Sequence, residues 1–472
     1  MRQITKHFIG GELVESHGKE KFQLINPSNQ EIIGEVTLGD VVDTQRAIKA
    51  AQDAFVSYSK STREERADVL QKFHDAVTAR SEDHVKALIE EYGGTLANAQ
   101  GFVYASGLYI LSIKESLKQV KFKEDANGTE IVQVPVGVAG IITPWNASLL
   151  YICNKTAAAL AAGCTVVIKP SEMSGLQTQV LMECLAKSNI PKGLINIVNG
   201  KGDVVGNELT TNPGIAKISF TGSTAVGKSI AKNAAETMKR VTLELGGKSP
   251  HIVMEDADFS KAVPFVLQAG FMNNGQACIS GTRILVPESR IREFNKALKS
   301  AVEKVNVGAP GRADTVLGPL VSKTQYARVQ GYINKGIAEG AEVLTGGPGH
   351  PEGLEQGNFV KPTVFVNVKN HMTIAREEIF GPVLSVISYK NIDDAIAIAN
   401  DTPYGLAAYV SGSDSTKAKQ IAELIEAGAV SVNQFNGDPS TPFGGVKQSG
   451  LGRENGIYGI ESFLEYKTIA GK

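Results

Sequence analysis

Gly137-Val138-Ala139-Gly140-Ile141-Ile142 is an unbroken apolar run, and it predicts a fully buried strand. Similar runs alternate with helical segments as far as residue 245. The further predicted strands are 165–169, 194–198, 217–220 and 241–245, and the predicted helices are 155–162, 175–188 and 223–239. This alternation is typical of a parallel sheet with helices on both faces. A ligand of such a sheet binds beyond the carboxyl ends of its strands.

The same alternation resumes after Pro250 and predicts a second α/β domain. Its predicted strands are 251–254, 283–287, 383–389 and 428–433, and its predicted helices are 259–271, 290–305 and 392–399. Helices also precede the first sheet, at 42–58, 62–79 and 81–92. Thr62 and Glu65 have the spacing of a capping box that opens the second of these helices.

A hairpin is predicted over residues 120–134, because Asn127-Gly128 is a type I′ turn signal between two strand-like runs. Residues 461–469 also have the pattern of a strand. An isolated two-stranded ribbon is marginal in water, so both pieces need a partner. They could build a small sheet that pairs between subunits, or each could pack on its own domain.

The chain has 472 residues and a formal net charge of −1, which indicates several domains and no electrostatic preference for nucleic acid or an anionic membrane. No secretory signal or spanning segment is visible. The four cysteines show no C-x-x-C spacing, so neither a metal site nor a disulfide framework is expected. A reducing cytoplasm is the natural setting for such a chain.

A nucleophile and a base are suggested by two parts of the stretch 241–283. Glu244 lies near the end of an apolar strand, where a carboxylate is out of place. Cys278 stands among Gly275, Ala277 and Ser280, whose small side chains leave room in front of the sulfur. Together they fit a thiol nucleophile with a carboxylate base. Taken singly, the cysteine could be a small buried apolar residue and the glutamate a cap or a loop ion pair.

Three further motifs follow predicted strands of the first sheet. Phe220-Thr221-Gly222-Ser223 opens a helix whose backbone N–H groups suit a phosphate, although a glycine helix start is an alternative. Lys169-Pro170-Ser171-Glu172 offers a lysine and a carboxylate to ribose hydroxyls, unless it is a surface loop. Pro144-Trp145-Asn146 supplies an amide donor that could stabilise an oxyanion.

Seven motifs occur in one order along the chain, and together the sequence resembles the NAD(P)-dependent aldehyde dehydrogenase superfamily over essentially its whole length. The motifs are Pro144-Trp145-Asn146, Lys169-Pro170-Ser171-Glu172, Phe220-Thr221-Gly222-Ser223, Glu244-Leu245-Gly246-Gly247-Lys248-Ser249-Pro250, Gly275-Gln276-Ala277-Cys278, Glu377-Glu378-Ile379-Phe380-Gly381-Pro382 and Pro442-Phe443-Gly444-Gly445.

The resemblance implies the roles of the matching residues. Cys278 would be the nucleophile, Glu244 the general base, and Asn146 with the Cys278 N–H the oxyanion hole. The cofactor-binding positions would be Trp145, Lys169, Ser171, Glu172, Gly222, Ser223, Glu378 and Phe380. Lys155 matches a lysine proposed to relay protons from the base, although a solvated helix lysine is an equal alternative.

The fold implied is a Rossmann-like cofactor domain (1–118 and 136–246), an α/β catalytic domain (247–446) and an oligomerisation sheet (119–135 and 447–472). The implied reaction is NAD-dependent oxidation of an aldehyde to the carboxylic acid by a homodimer or homotetramer. NAD is expected over NADP because Glu172 would lie beside the adenosine ribose. Transfer of the acyl group to coenzyme A and a non-catalytic role of the retained fold are the alternatives.

The sequence departs from better-known relatives beside the expected substrate. Ala147-Ser148 replaces an aromatic residue and a proline, and Tyr151 and Asn154 replace apolar or aromatic positions. The stretch 434–441 is polar as well. The physiological aldehyde therefore does not follow from the resemblance.

Overall fold

The computed structural model describes residues 1–435 and 437–471. Residue 436, within the polar stretch 434–441, and Lys472, at the end of the expected oligomerisation segment, lie outside the described residues. None of the helices formed by the described residues combines the length and the apolar character needed to cross a membrane.

The described helices alternate with strands through most of the chain. The α-helices are α1 (Val41–Tyr58), α2 (Arg63–Thr78), α3 (Ser81–Ala87), α4 (Leu96–Ser116), α5 (Ser148–Ala162), α6 (Gly175–Ala186), α7 (Asn207–Thr211), α8 (Thr224–Ala235), α9 (Phe259–Phe271), α10 (Ile291–Val302), α11 (Lys323–Ala338), α12 (Thr373–Arg376), α13 (Ile392–Asn400), α14 (Ser415–Glu423) and α15 (Gly456–Glu461).

The strands form four sheets. They are β1 (Arg2–Ile4), β2 (Lys6–Ile9), β3 (Glu12–Glu15), β4 (Lys21–Ile25), β5 (Ile32–Thr37), β6 (Lys123–Ala126), β7 (Thr129–Pro135), β8 (Val138–Ile142), β9 (Thr165–Lys169), β10 (Ile195–Ile197), β11 (Lys217–Thr221), β12 (Arg240–Glu244), β13 (Pro250–Val253), β14 (Arg283–Pro287), β15 (Glu342–Thr345), β16 (Thr363–Val366), β17 (Val383–Tyr389), β18 (Ala407–Ser411), β19 (Ala429–Val432), β20 (Gly450–Leu451) and β21 (Leu464–Ile469).

The first large sheet has the order β20-β12-β11-β8-β9-β10-β2-β3, and β8 to β12 are mutually parallel within it. Counted along the chain, these five strands have the order 3-2-1-4-5 of a doubly wound fold. Alternate residues of the strands enter two apolar cores, with Ile141 on one face and Ile142 on the other. The order reverses between β8 and β11, which is where a doubly wound sheet binds its ligand.

The second large sheet has the order β15-β16-β17-β14-β13-β18-β19 and is parallel except for the pairing of β15 with β16. It too has an apolar core on each face. The structure therefore has the mixed α/β architecture that the sequence predicts, with two large sheets. A smaller sheet near the N-terminus has the order β1-β5-β4.

The predicted hairpin and the C-terminal strand form one sheet, of order β21-β7-β6. Asn127 and Gly128 have φ of 55° and 80°, as a type I′ turn requires. The predicted strand before the turn was placed about three residues early, since β6 begins at Lys123. Residues 450–451, which belong to the expected oligomerisation segment, are not part of this small sheet. They form β20, which pairs with β12 in the first large sheet.

Several helix bounds differ from the sequence prediction; α8, for example, ends at Ala235 rather than at residue 239. Helix α5 starts at Ser148 rather than at residue 155, and its N-cap Ala147 makes no side-chain capping bond that would mark the start. Residues Gly456–Glu461 form α15. Glu461, which the sequence pattern assigns to the last strand, is therefore the last residue of a helix, and β21 begins at Leu464. The capping box of Thr62 and Glu65 opens α2 as predicted.

Candidate active site

A cleft of about 710 Å³ lies at the switch point of the first sheet. The segment after β8 and the segment after β11 form one side, and residues from the second sheet's domain close the other. The predicted site residues that border it are Trp145, Asn146, Gly222, Ser223, Glu244, Cys278, Glu378 and Phe380. The structure thus brings together residues that are widely separated in sequence.

A tight loop after α9 carries the cysteine. Asn273, Asn274 and Gly275 have φ of 52°, 60° and 72°, three consecutive left-handed residues. Asparagine and glycine are the residues that adopt this region most readily. A Cβ at Gly275 would stand 2.3 Å from the carbonyl carbon of Gly381, so the loop packs directly on the backbone next to Phe380.

Buried amides fix this loop from three directions. The Asn274 amide donates to the carbonyls of Gly93 and Pro319 at 3.0 and 3.2 Å. The Gln276 amide donates to the Tyr92 hydroxyl at 3.1 Å and accepts from the Val321 N–H at 3.1 Å. A loop held by so many buried hydrogen bonds presents the cysteine in one position.

Cys278 is half-buried and faces the cleft. Its sulfur lies 3.9 Å from the hydroxyl oxygen of Tyr151. Burial, followed by the carboxylates of Glu378 and Glu244, raises the pKa of the Cys278 thiol to about 12, and Tyr151 acts in the opposite direction. The thiol is therefore mostly protonated at neutral pH.

The amide of Asn146 points at the cysteine loop. Its nitrogen donates to the Gln276 carbonyl oxygen at 2.9 Å, and the Asn273 amide returns a bond of 2.9 Å to the Asn146 carbonyl. An asparagine amide carries two N–H donors, and the hydrogen bond to Gln276 uses one of them.

Glu244 ends β12 with a buried carboxylate, and neither oxygen accepts a hydrogen bond from the described residues. Burial raises the pKa of the Glu244 carboxyl well above its usual value, and the charge of Glu454 adds to the effect. Lys155 and Arg453 act in the opposite direction. A Cβ on Gly444 would stand 2.7 Å from a carboxylate oxygen of Glu244, so this glycine makes room for the group.

Lys155 is buried, which makes the alternative of a solvated helix lysine wrong. It forms an ion pair with Glu454 and donates to the Ser219 hydroxyl at 3.2 Å. Ser219 in turn donates to Glu454 at 3.3 Å. The sequence analysis missed Glu454, and no local pattern marks it, because its partner lies 299 residues away.

The segment after β11 presents a helix N-terminus to the cleft. Ser223 caps α8 by accepting from the Val226 N–H at 3.4 Å. The Gly222 N–H donates to the Glu244 backbone carbonyl at 3.0 Å, which joins this turn to the end of β12. The Thr221 hydroxyl oxygen is buried without a hydrogen-bond partner among the described residues, although its residue borders the cleft.

Lys169 ends β9, the neighbour of β8, and Ser171 and Glu172 follow it; none of the three borders the cleft itself. The Lys169 ammonium lies 3.4 Å from the Glu172 carboxylate and is buried, whereas the Glu172 side chain is 28% exposed. The Ser171 hydroxyl accepts from the Met173 N–H at 3.3 Å. Glu172 is thus the one of the three that has an exposed face.

Glu378 and Phe380 border the cleft opposite the first sheet. A Glu378 carboxylate oxygen accepts from the Gly247 N–H at 3.1 Å, and burial raises the pKa of Glu378 to about 7. Phe380 meets Trp145 edge to face at 5.4 Å and has a φ of 62°. Gln325, which the sequence analysis missed, donates to the Phe380 carbonyl at 2.7 Å and supports this backbone.

Tyr151 borders the cleft, but Asn154, the other unusual residue on α5, does not. The Asn154 amide donates to the Asn455 side-chain oxygen at 2.9 Å in a buried contact. Neighbouring residues of α5, Asn154 and Lys155, therefore bind neighbouring residues of the C-terminal segment, Asn455 and Glu454.

The described residues contain no cluster of His, Cys, Asp or Glu that could hold a metal ion.

Comparison with known proteins assigns the family. Residues 13–469 match the aldehyde dehydrogenase family. A Staphylococcus epidermidis protein named as a candidate aldehyde dehydrogenase is 46% identical over 472 residues, which is 100% of this chain and 99% of that protein.

Solved structures agree in fold over the same length. A variant of aldehyde dehydrogenase C from Pseudomonas syringae, complexed with NAD+ and octanal, superposes with a TM-score of 0.97 at 42% identity, covering 99% of this chain and 96% of that chain. An aldehyde dehydrogenase of Mycobacterium tuberculosis complexed with NAD+ has a TM-score of 0.97 at 40% identity, covering 100% of this chain and 99% of that chain. The chain therefore belongs to the aldehyde dehydrogenase family.

Proposed function

We propose that this chain oxidises an aldehyde to the carboxylic acid with NAD, through a thiohemiacetal and a thioester on Cys278. The observation that carries the proposal is that Cys278, Glu244 and Asn146 border one cleft at the switch point of a doubly wound sheet. A nucleotide binds at that point in such folds, so a nucleophile, a base and a hydrogen-bond donor stand beside the cofactor position.

The residues at the cleft fit a dinucleotide. The N-terminus of α8 at Ser223 offers backbone donors to a pyrophosphate, and the Thr221 hydroxyl, unpartnered among the described residues, is a further donor. The Glu378 carboxylate can accept from ribose hydroxyls, and Phe380 with Trp145 gives an aromatic surface. Lys169 and Glu172, with Ser171 between them, would hold the adenosine ribose. The structures with NAD+ from Pseudomonas syringae and Mycobacterium tuberculosis support this choice of cofactor.

The first half of the reaction forms a bond between the Cys278 sulfur and the aldehyde carbon. The thiolate attacks, and the carbonyl oxygen becomes an oxyanion that the free N–H of Asn146 and the Cys278 backbone N–H stabilise. When bound, the nicotinamide accepts the hydride of the tetrahedral carbon, which leaves a thioester on Cys278.

The second half hydrolyses the thioester. Glu244 takes a proton from a water molecule that attacks the thioester carbon, and the Cys278 thiolate leaves. The carboxyl of Glu244 then has to lose that proton from a buried position. We assign this proton transfer to Lys155 and Glu454, because the charges of both act on the Glu244 pKa.

The alternatives differ in the fate of the acyl group. An acylating enzyme would transfer it to coenzyme A and would not need a base for water, so the buried Glu244 argues against it. A non-catalytic role of the fold is disfavoured because nucleophile, base and donor are all retained.

The test is a panel of aldehydes with NAD, followed by NADH absorbance and product analysis with and without coenzyme A. Octanal belongs in the panel because the Pseudomonas syringae relative was solved with it. Carboxylate formed without coenzyme A supports the proposal. An acyl-coenzyme A product would overturn it, and so would the absence of turnover of any aldehyde with NAD.

Assembly and compartment also belong to the proposal. The sheet of β6, β7 and β21 has exposed residues on β21, including Tyr466 and Ile469 at 73% and 47% exposure, and β21 is an edge strand that could pair with a second copy. We therefore propose a homodimer or a dimer of dimers. The cysteines are free, which suits the reducing cytoplasm.

A further inference from the structure

Tyr151 contacts the sulfur of the proposed nucleophile, and the reaction described above gives it no task. It lies in the first turn of α5, where its backbone N–H donates to the Ala147 carbonyl at 3.1 Å. Helix α5 starts two residues after Asn146, so the segment that positions the proposed oxyanion donor also positions this ring. Its hydroxyl oxygen lies 3.9 Å from the Cys278 sulfur, within reach of a hydrogen bond to sulfur.

The surroundings of the sulfur are unfavourable to a thiolate. The titratable groups that face it are Glu244 from β12, Glu378 from the loop before β17, Tyr409 from β18 and Tyr151 from α5. The two carboxylates oppose a second negative charge. Among the described residues, no lysine, arginine or histidine hydrogen-bonds to the sulfur. The Tyr151 hydroxyl is therefore the group that can stabilise the negative charge of the thiolate by donating a hydrogen bond.

We propose that the Tyr151 hydroxyl donates a hydrogen bond to the Cys278 thiolate and so increases the fraction of nucleophile at a given pH. The inference rests on the proposed function for the role of Cys278. Because Tyr151 contacts the reacting atom, it would be a catalytic residue beside the oxyanion donors.

The direction of the hydrogen bond follows from the two acidities. Burial raises the pKa of the Tyr151 phenol well above its usual value, with Cys278, Glu454 and Glu244 acting in the same direction. The phenol therefore keeps its proton at neutral pH and remains a hydrogen-bond donor. A thiolate can only accept, and bonds to a charged partner are stronger than neutral ones.

The experiment measures alkylation of Cys278 by iodoacetamide from pH 7 to 10, without aldehyde or NAD. Peptide mass spectrometry identifies the labelled cysteine, and Cys278→Ala gives the background from the other cysteines. In Tyr151→Phe, a thiol pKa raised by about one unit lowers the thiolate fraction about tenfold. The more basic thiolate is also about threefold more nucleophilic, so alkylation should slow about threefold net.

Two further variants control for the loss of a hydroxyl and for misfolding. Tyr109→Phe removes a hydroxyl from α4 that also lies near Glu454 but has no hydrogen bond to the sulfur among the described residues, and it should leave the alkylation rate unchanged. Replacement of Tyr151 by 3-fluorotyrosine keeps the ring and makes the phenol a stronger donor, so alkylation at a given pH should be faster than in the wild type.

An alkylation rate in folded Tyr151→Phe that equals or exceeds the wild-type rate overturns the inference. So does an unchanged rate in the fluorotyrosine protein, should Tyr151→Phe fail to fold. Labelling needs no turnover, so the two proposals can fail separately. A changed alkylation rate in an enzyme that oxidises no aldehyde overturns the proposed function alone, and an unchanged rate in an active enzyme overturns the Tyr151 contact alone.

Discussion

Lys155 and Glu454 form a buried ion pair although they lie 299 residues apart in the chain. The pair joins α5, which begins next to Asn146, to the C-terminal segment that precedes α15. Both charges act on the Glu244 carboxyl, so the pair is a structural link and part of the electrostatic setting of the proposed base.

We expect Lys155→Met to lower stability by about 3–5 kcal/mol, because removing one partner leaves the other charge buried and unpaired. The double variant Lys155→Met/Glu454→Met should cost less than the single one. Denaturant unfolding of the four proteins in the cycle measures both values. A double variant less stable than Lys155→Met would show that the pair is not what makes the single change costly.

Glu244→Gln should slow thioester hydrolysis about 10²- to 10⁴-fold, since the amide keeps the shape of the side chain but cannot take a proton. Rapid mixing should still give early NADH, and mass spectrometry should find an acyl group on Cys278. If NADH formation slows equally and no acyl-enzyme is found, Glu244 has a different role.

Hydrolysis in the wild type should accelerate as pH rises, because the raised pKa of Glu244 keeps its carboxyl protonated at lower pH. The sign follows from the base being active only when ionised. In Glu244→Gln this rise should disappear from the single-turnover rate of acyl-enzyme breakdown. A rise of equal steepness in both proteins would assign it to another group.

NAD affinity should increase with pH up to about 7, where Glu378 loses its proton. The ionised carboxylate accepts more hydrogen bonds from ribose hydroxyls than the neutral acid does. Titration calorimetry at several pH values measures the effect, with Glu378→Gln as the control that should bind more weakly and without this dependence. A wild-type affinity that is flat between pH 6 and 8 would contradict the assignment of Glu378.

Glu172→Gln should improve the use of NADP more than that of NAD. The exposed face of Glu172 would lie beside the adenosine ribose, where NADP carries a phosphate and two like charges repel. Removing even a third of about 4 kcal/mol changes relative affinity about tenfold. Lys169 is unchanged in this variant, and its ammonium attracts the phosphate. The ratio of kcat/KM for NADP to kcat/KM for NAD should therefore rise. An unchanged ratio would show that Glu172 does not select the cofactor.

Much of the fold could be predicted because its signals are local. Short apolar runs such as Val138–Ile142, bounded by Gly137 and Pro144, favour buried strands, and the Asn127-Gly128 turn and the Thr62–Glu65 capping box each specify their geometry within a few residues. The start of α5 could not be predicted, because Ala147 gives no capping signal and the buried helix is apolar on most faces.

Some features of the candidate site could likewise be predicted from local sequence, and others could not. The ordered motifs predicted the residues that border the cleft, because a parallel sheet collects the ends of its strands at one edge. The burial of Lys155, the role of Glu454 and the contact of Tyr151 with Cys278 depend on partners that lie 127 to 299 residues away, and no local pattern reports them.

The most direct test of the central claim is the NAD-dependent oxidation of aldehydes by Cys278→Ala, measured beside its NAD affinity. Turnover should be lost, because the proposed thioester forms on the Cys278 sulfur, while NAD binding should persist because the cofactor residues are unchanged. Turnover near the wild-type rate in this variant would contradict the account.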